Sequence, residues 1–244
     1  MLLSSLRRLL SSGSFLKMMG IGVFGTMILF SCNESLPVDE TTLGYDFYPV
    51  AVGQYRIYDV EEIQYRITGF DTTNYQLRET VFDSIVSLDQ TTYLVRRDIR
   101  ANELAEWESD SIWSITPTDL YLAVTENSIP FIKLTFPVRE GIEWDGNSLN
   151  ARGNQTYYYQ QVSESAFEGI EAADLIRVII EDIPENTTGI DLRSEVFARN
   201  VGLVEKDYLT QVKCTSGSCG DDFGEVEGGR SLKQRLLEFG VLNE

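Results

Sequence analysis

The chain has 244 residues, with 20 Lys and Arg against 38 Asp and Glu, no His, and a formal net charge of −18. Without His there is no Ser-His-Asp or Cys-His catalysis, no imidazole metal site and no imidazole acid–base chemistry. So acidic a surface repels nucleic acid and anionic head groups, which excludes both as partners.

Residues 1–31 read as an export signal. Arg7, Arg8 and Lys17 make a positive start without any acid, and a 13-residue apolar run over 18–30 follows. That run is long enough for a signal peptide and too short to span a bilayer. Leu29-Phe30-Ser31-Cys32 has the form of a bacterial lipobox, with a small residue before the cysteine. Cys32 is the expected lipidation site, taking diacylglycerol on its thiol and a further palmitate-class chain on the freed amine. Each buried CH₂ contributes about 0.8 kcal/mol, so two or three chains hold a domain to a membrane durably. Cleavage removes three of the 20 basic residues and none of the 38 acidic ones, leaving 17 against 38, or −21. The expected location is the outer membrane, lipid-anchored. Which face the protein occupies is left open by Asn33-Glu34-Ser35.

Residues 32–44 read as the lipidated cysteine and a polar tether, and residues 45–244 as a single β-rich domain. The period within that domain is two. Tyr75, Leu77, Val81 and Ile85 alternate with polar residues, as do Tyr93, Val95 and Ile99. The phase shifts near residues 59–61, which predicts a bulge or bend there. Further strands are expected at 111–116, 121–126, 131–136, 156–163, 175–181, 195–207, 208–214 and 232–239. Turns are expected at 69–74, 116–119, 145–148 and 184–189. The fold class is therefore all-β: an antiparallel meander forming a curved sheet, a partly closed barrel or a sandwich.

Cys214 and Cys219 remain once Cys32 is lipidated. In an exported protein they are expected to form a disulfide, placed opposite each other across a hairpin. Two Cys without His cannot make a four-ligand zinc site. Asp221, Asp222, Glu225 and Glu227 form the one acidic cluster worth weighing for Ca²⁺, although their spacing lacks the alternation of a helix-loop-helix calcium loop. Trp107 and Trp113, six apart, would share one face of a continuous strand, and Tyr157 with Tyr159 adds a second aromatic cluster. These four are the candidate ligand-binding aromatics, since sugars stack on such rings, though strand aromatics more often pack a core. Asp71-Thr-Thr, Asp83-Ser-Ile and Asp110-Ser-Ile resemble the short O-glycosylation acceptor pattern of Bacteroidota. No cofactor and no catalytic residue is indicated.

Three stretches carry a wider resemblance: Tyr48-Pro-Val-Ala-Val-Gly-Gln-Tyr55; Lys133-Leu-Thr-Phe-Pro-Val-Arg-Glu-Gly141 with Trp144-Asp-Gly-Asn147; and Phe197-Ala-Arg-Asn-Val-Gly-Leu-Val-Glu-Lys206. Together they resemble uncharacterised lipoproteins of Bacteroidota. The resemblance implies a β-rich envelope domain and no catalytic residues. The reading is a lipid-anchored envelope protein with a non-catalytic binding or structural role, its partner a glycan or an envelope protein. The alternatives are a periplasmic carrier or sensor of an apolar molecule inside a β-barrel, and a glycoside hydrolase using paired carboxylates.

Overall fold

The structure is a computed structural model and describes residues 40–87, 89–162 and 174–242. The first elements among the described residues are a short helix α1 (Glu40–Leu43) and a 3-10 turn (Tyr45–Phe47). Twelve strands follow: β1 (Gln54–Arg66), β2 (Gly69–Ser87), β3 (Gln90–Arg100), β4 (Glu108–Pro117), β5 (Tyr121–Glu126) and β6 (Ile129–Thr135), then β7 (Glu143–Asp145), β8 (Thr156–Gln161), β9 (Leu175–Ile183), β10 (Gly189–Ala198), β11 (Gly202–Lys213) and β12 (Val226–Val241). The all-β expectation holds.

All twelve belong to one antiparallel sheet in the order β6-β5-β4-β3-β2-β1-β12-β11-β10-β9-β8-β7. Every strand pairs with its neighbours in sequence except β6 with β7, and the first pairs with the last. The ribbon therefore curls into a barrel whose single seam lies mid-chain, between β6 and β7. No ladder crosses that seam. Instead Ile132 N–H donates to Gly146 O at 2.9 Å, and Trp144 Nε1 donates to Ile132 O at 2.9 Å. The Tyr159 hydroxyl accepts from Thr135 N and donates to Thr135 O, at 2.8 and 2.7 Å. Asn150 Nδ2 donates to Pro130 O at 2.7 Å. Side chains thus occupy edge groups that would otherwise be open to another strand.

Gly146 makes this approach feasible. A Cβ there would fall far inside van der Waals contact with the Tyr157 ring.

Alternation builds the interior. Arg56, Tyr58 and Val60 point inward from β1 while Asp59 faces water. One end of the barrel is plugged by the segment leading into β1. Phe47 and Tyr48 are buried, Leu43 O accepts from Val138 N at 2.9 Å, and Arg199 is ion-paired to Asp46. Arg56 clamps the plug by donating to Pro49 O and Val201 O at 2.8 and 2.7 Å. Gly202, at φ +101°, leaves that guanidinium its space; a Cβ would meet Nη2 at 2.7 Å.

Three local strand expectations are corrected. β1 runs unbroken through residues 59–61; the extra residue is Leu237 on the partner strand, because Ile57 faces Glu238 while Tyr58 faces Leu236. Residues 69–74 are strand, not turn: the hairpin reverses at residues 67–68, and Thr72 and Thr73 pair with Ile63 and Glu62. The strand expected at 195–207 is two strands, reversing at residues 199–201, where Asn200 adopts φ 64°. Asn tolerates that left-handed conformation, and such a residue flanked by apolar runs leaves little periodic trace.

The Cys214–Cys219 disulfide is present, with Cα atoms 6.0 Å apart. It does not span a hairpin. Cys214 faces Glu225 and Gly224 through backbone bonds of 2.9 and 2.8 Å, and Cys219 lies in a 3-10 turn, Gly217–Asp222.

Candidate functional site

The sequence-derived candidates do not converge. A bulge between Arg97 and Asp98 in the β3–β4 pairing leaves Asp110 unpaired and reverses the phase of β4. Trp113, opposite Val95, points inward, where the Arg97 guanidinium lies 3.7 Å from its ring centre. Trp107 precedes the strand and lies between Arg78 and Arg100, at 4.5 and 4.3 Å. The two indoles therefore do not share a face. Tyr157 and Tyr159 are core residues packed on Trp144, at 5.9 and 4.6 Å between ring centres. Burial has already committed their rings, and Tyr159's hydroxyl is used on the seam.

The acidic cluster also fails to assemble. Asp222, Glu225 and Glu227 are exposed, the Asp221 side chain lies outside the described residues, and among the described residues no three acids, Cys or His gather around a point. Of the glycosylation-like stretches, Thr72 and Thr73 are exposed, while Ser84 and Ser111 are half-buried.

Sequence reasoning missed the group at the centre of the barrel. Lys133 Nζ on β6 lies 2.8 Å from Glu195 Oε1 on β10 and 2.9 Å from Glu126 Oε1 on β5. Lys206 Nζ on β11 lies 3.3 Å from the same Glu195 oxygen and 3.6 Å from the same Glu126 oxygen. Tyr208 donates its hydroxyl to Glu195 Oε1 at 2.6 Å. Two ammonium and two carboxylate groups thus form a closed, neutral ring. A second pair lies beside it, Arg97 on Glu79 at 3.2 Å.

Burial pushes the Glu126 carboxyl up, but Lys133 and Lys206 more than offset it and hold its pKa down to about 2. Glu195 is likewise lowered by the two lysines against the pull of burial. Lys133 is held well above its ordinary value by Glu126 and Glu195, although burial opposes this. Burial, with Glu195 beside it, pushes Tyr208 well above the usual phenol range.

A residual cavity of about 20 Å³ adjoins the ring, lined by Trp113, Tyr48, Glu126, Lys133, Glu195 and Lys206 among others. It has room for a single water molecule and none for an apolar cargo. Trp113 Nε1 at its wall finds no acceptor among the described residues.

The larger concavities are on the surface. One, of about 740 Å³, lies between the β1–β2 hairpin (Tyr65, Ile67, Phe70) and the disulfide loop. Another, of about 590 Å³, crosses the face of β8–β12 and β1 opposite the ring. Its floor is set by register. Tyr158, Ile179, Ser194, Asp207, Lys233 and Glu61 are successive cross-strand partners over six strands. Asp182, Leu192, Leu209, Ser231 and Ile63 form a second such row beside it.

The three sequence landmarks now have a physical role. The first forms the plug. The second supplies Lys133, and Trp144 and Gly146 at the seam. The third supplies the β10–β11 turn and Lys206.

No family model matches the chain, and no curated protein matches it. Among solved structures it is similar to a Bacteroides fragilis protein described as exported, with a YmcC-like fold. That similarity has 10% identity and a TM-score of 0.42, and covers 80% of this chain and 98% of the other. Neither value supports a transfer of fold or function, and the architecture above rests on the strand pairings themselves.

Proposed function

We propose that the chain is a lipid-anchored envelope protein that acts by binding through its outer surface, without catalysis. One observation carries the binding reading: among the described residues the charged ring leaves beside it only a cavity of about 20 Å³, while the outside carries open grooves of several hundred cubic ångströms. Ligand sites of 300–1,000 Å³ are the common range for small-molecule recognition.

The interior acids support the non-catalytic half. A carboxylic acid that protonates a leaving group needs a pKa raised toward neutrality. Glu126 and Glu195 are instead held ionised by Lys133 and Lys206, which suits cross-linking. A carrier of apolar cargo would have to displace this ring to make room, so the proposed binding surface is external.

The anchor rests on Leu29-Phe30-Ser31-Cys32 and the apolar run before it. Cells grown with a labelled palmitate analogue test it. The expected result is label on the mature product, beginning at Cys32, in the membrane fraction, lost in Cys32→Ala. An unlabelled product in the soluble fraction would overturn the anchor.

A further inference from the structure

We infer that the outer groove over β8–β12 and β1 binds an uncharged, extended oligosaccharide; this deepens the binding reading above by assigning a surface and a ligand class. At about 4.8 Å between strands, a row across six strands is about 24 Å long. The groove is thus a linear site able to hold several sugar rings in line, not a pocket for one small molecule.

Its chemistry alternates. Tyr158 stands at one end and Tyr65 near the other, and Ile179, Leu192, Leu209 and Ile63 contribute half-buried apolar surface between them. Ser194, Asp207, Lys233 and Glu61 interleave with that surface in register. A sugar ring has an apolar C–H face and a hydroxyl rim, so it matches short apolar patches separated by donors and acceptors. An apolar peptide anchor would instead call for a contiguous exposed hydrophobic patch, and none of these four aliphatic residues is exposed.

Charge selects a neutral ligand. The lining carries Glu61, Glu181, Asp182 and Asp207 against Arg177, Arg193 and Lys233, four against three, within a chain of net charge −18. Lys233 stands in register between Asp207 and Glu61, yet makes an ion pair with neither. Both carboxylates and the ammonium therefore keep hydrogen-bonding capacity for hydroxyl groups. Arg177 adds donors, its ion-pair contact with Glu205 being a long 3.8 Å.

The test uses the mature lipoprotein extracted in mild detergent. It is titrated calorimetrically with neutral linear hexasaccharides built on glucose, mannose, xylose or N-acetylglucosamine. At least one should bind, and Tyr158→Ala and Asp207→Asn should each weaken it about tenfold or more. Val86→Ala, exposed on β2 away from the groove, should leave affinity unchanged, and circular dichroism melts check that each variant is folded. Binding by none of the four, or binding indifferent to the Tyr158→Ala and Asp207→Asn changes together, overturns the assignment. Because lipidation is read separately from palmitate labelling, failure here leaves the anchor reading intact.

Discussion

Glu195 and Lys133 meet at 2.8 Å inside the barrel from strands 62 residues apart in sequence. They lie on opposite sides of the seam, Lys133 on edge strand β6 and Glu195 on β10. Since no ladder joins β6 to β7, the ring of Lys133, Glu126, Glu195 and Lys206 does part of a ladder's work. It ties the β5–β6 wall to the β10–β11 wall at a point where the backbone does not.

Opening the ring should be far worse than removing charge in balance. Glu195→Gln leaves two ammonium groups facing one carboxylate in a buried site, and is expected to cost about 3–5 kcal/mol. Glu195→Gln combined with Lys206→Met restores neutrality and should recover much of that loss. Urea unfolding of the wild type, both singles and the double variant measures the coupling. Additive losses would show that the ring does not act as a unit.

Acid should weaken the fold through the same ring. Glu126 has a folded pKa of about 2, below the ordinary carboxylate value of 4.5, so the unfolded chain takes up its proton first. Its contribution is present in full above the unfolded value and is lost as pH falls from about 5 through 2. Glu195 is shifted in the same direction. Melting temperatures measured from pH 7 to pH 2 should fall most steeply in that window. In a variant with Glu126→Gln and Lys133→Met, that acid-dependent fall should be visibly reduced.

Gly146→Ala should open the seam locally. The new methyl group would have to displace the Tyr157 ring from the core, moving the backbone whose carbonyl accepts from Ile132. Overpacking of this kind costs about 1–3 kcal/mol. Hydrogen exchange should show Ile132 N–H losing protection before the amides paired between β1 and β12. Equal loss at both places would mean that the seam is not the weak line of the barrel.

The disulfide should matter modestly. Closing a loop as short as Cys214 to Cys219 restricts the unfolded chain by only about 2 kcal/mol. Replacing both cysteines with serine is expected to lower the melting temperature by a few degrees while leaving the interior unchanged. Retention of the near-ultraviolet dichroism of the buried aromatics checks the second part.

Local patterns carried much of this structure. The period of two in Tyr75, Leu77 and Val81 identifies the middle of β2, although the bulge at Phe82 turns Ile85, expected on the same face, outward; residues 121–126 coincide with β5. Two of the errors share one cause. At Asp110 and Leu237 a single extra residue enters a strand pairing, and each such residue exchanges inside for outside along the rest of its strand. That is why Trp107 and Trp113, apparently on one face, separate. At residues 199–201 a tight turn was hidden for a different reason: Val196, Phe197, Val201 and Leu203 are all buried, so only the pair Arg199-Asn200 marks the reversal.

The charged ring had a faint signature. Lys133 sits between Ile132 and Leu134 in the largely apolar β6, whereas Glu195 follows Asp191, Arg193 and Ser194 on β10 and has no such contrast. Lys133 is legible as an oddity, but its partner is not.

By itself the sequence determined the period of two, the all-β class, the cysteine pair and the candidate export signal, because these depend on residues close together along the chain. The tertiary structure decided the seam, the ring and the outer groove. Each depends on which residues from distant strands come to lie side by side, and that is set by register and bulges, which no short stretch of sequence encodes.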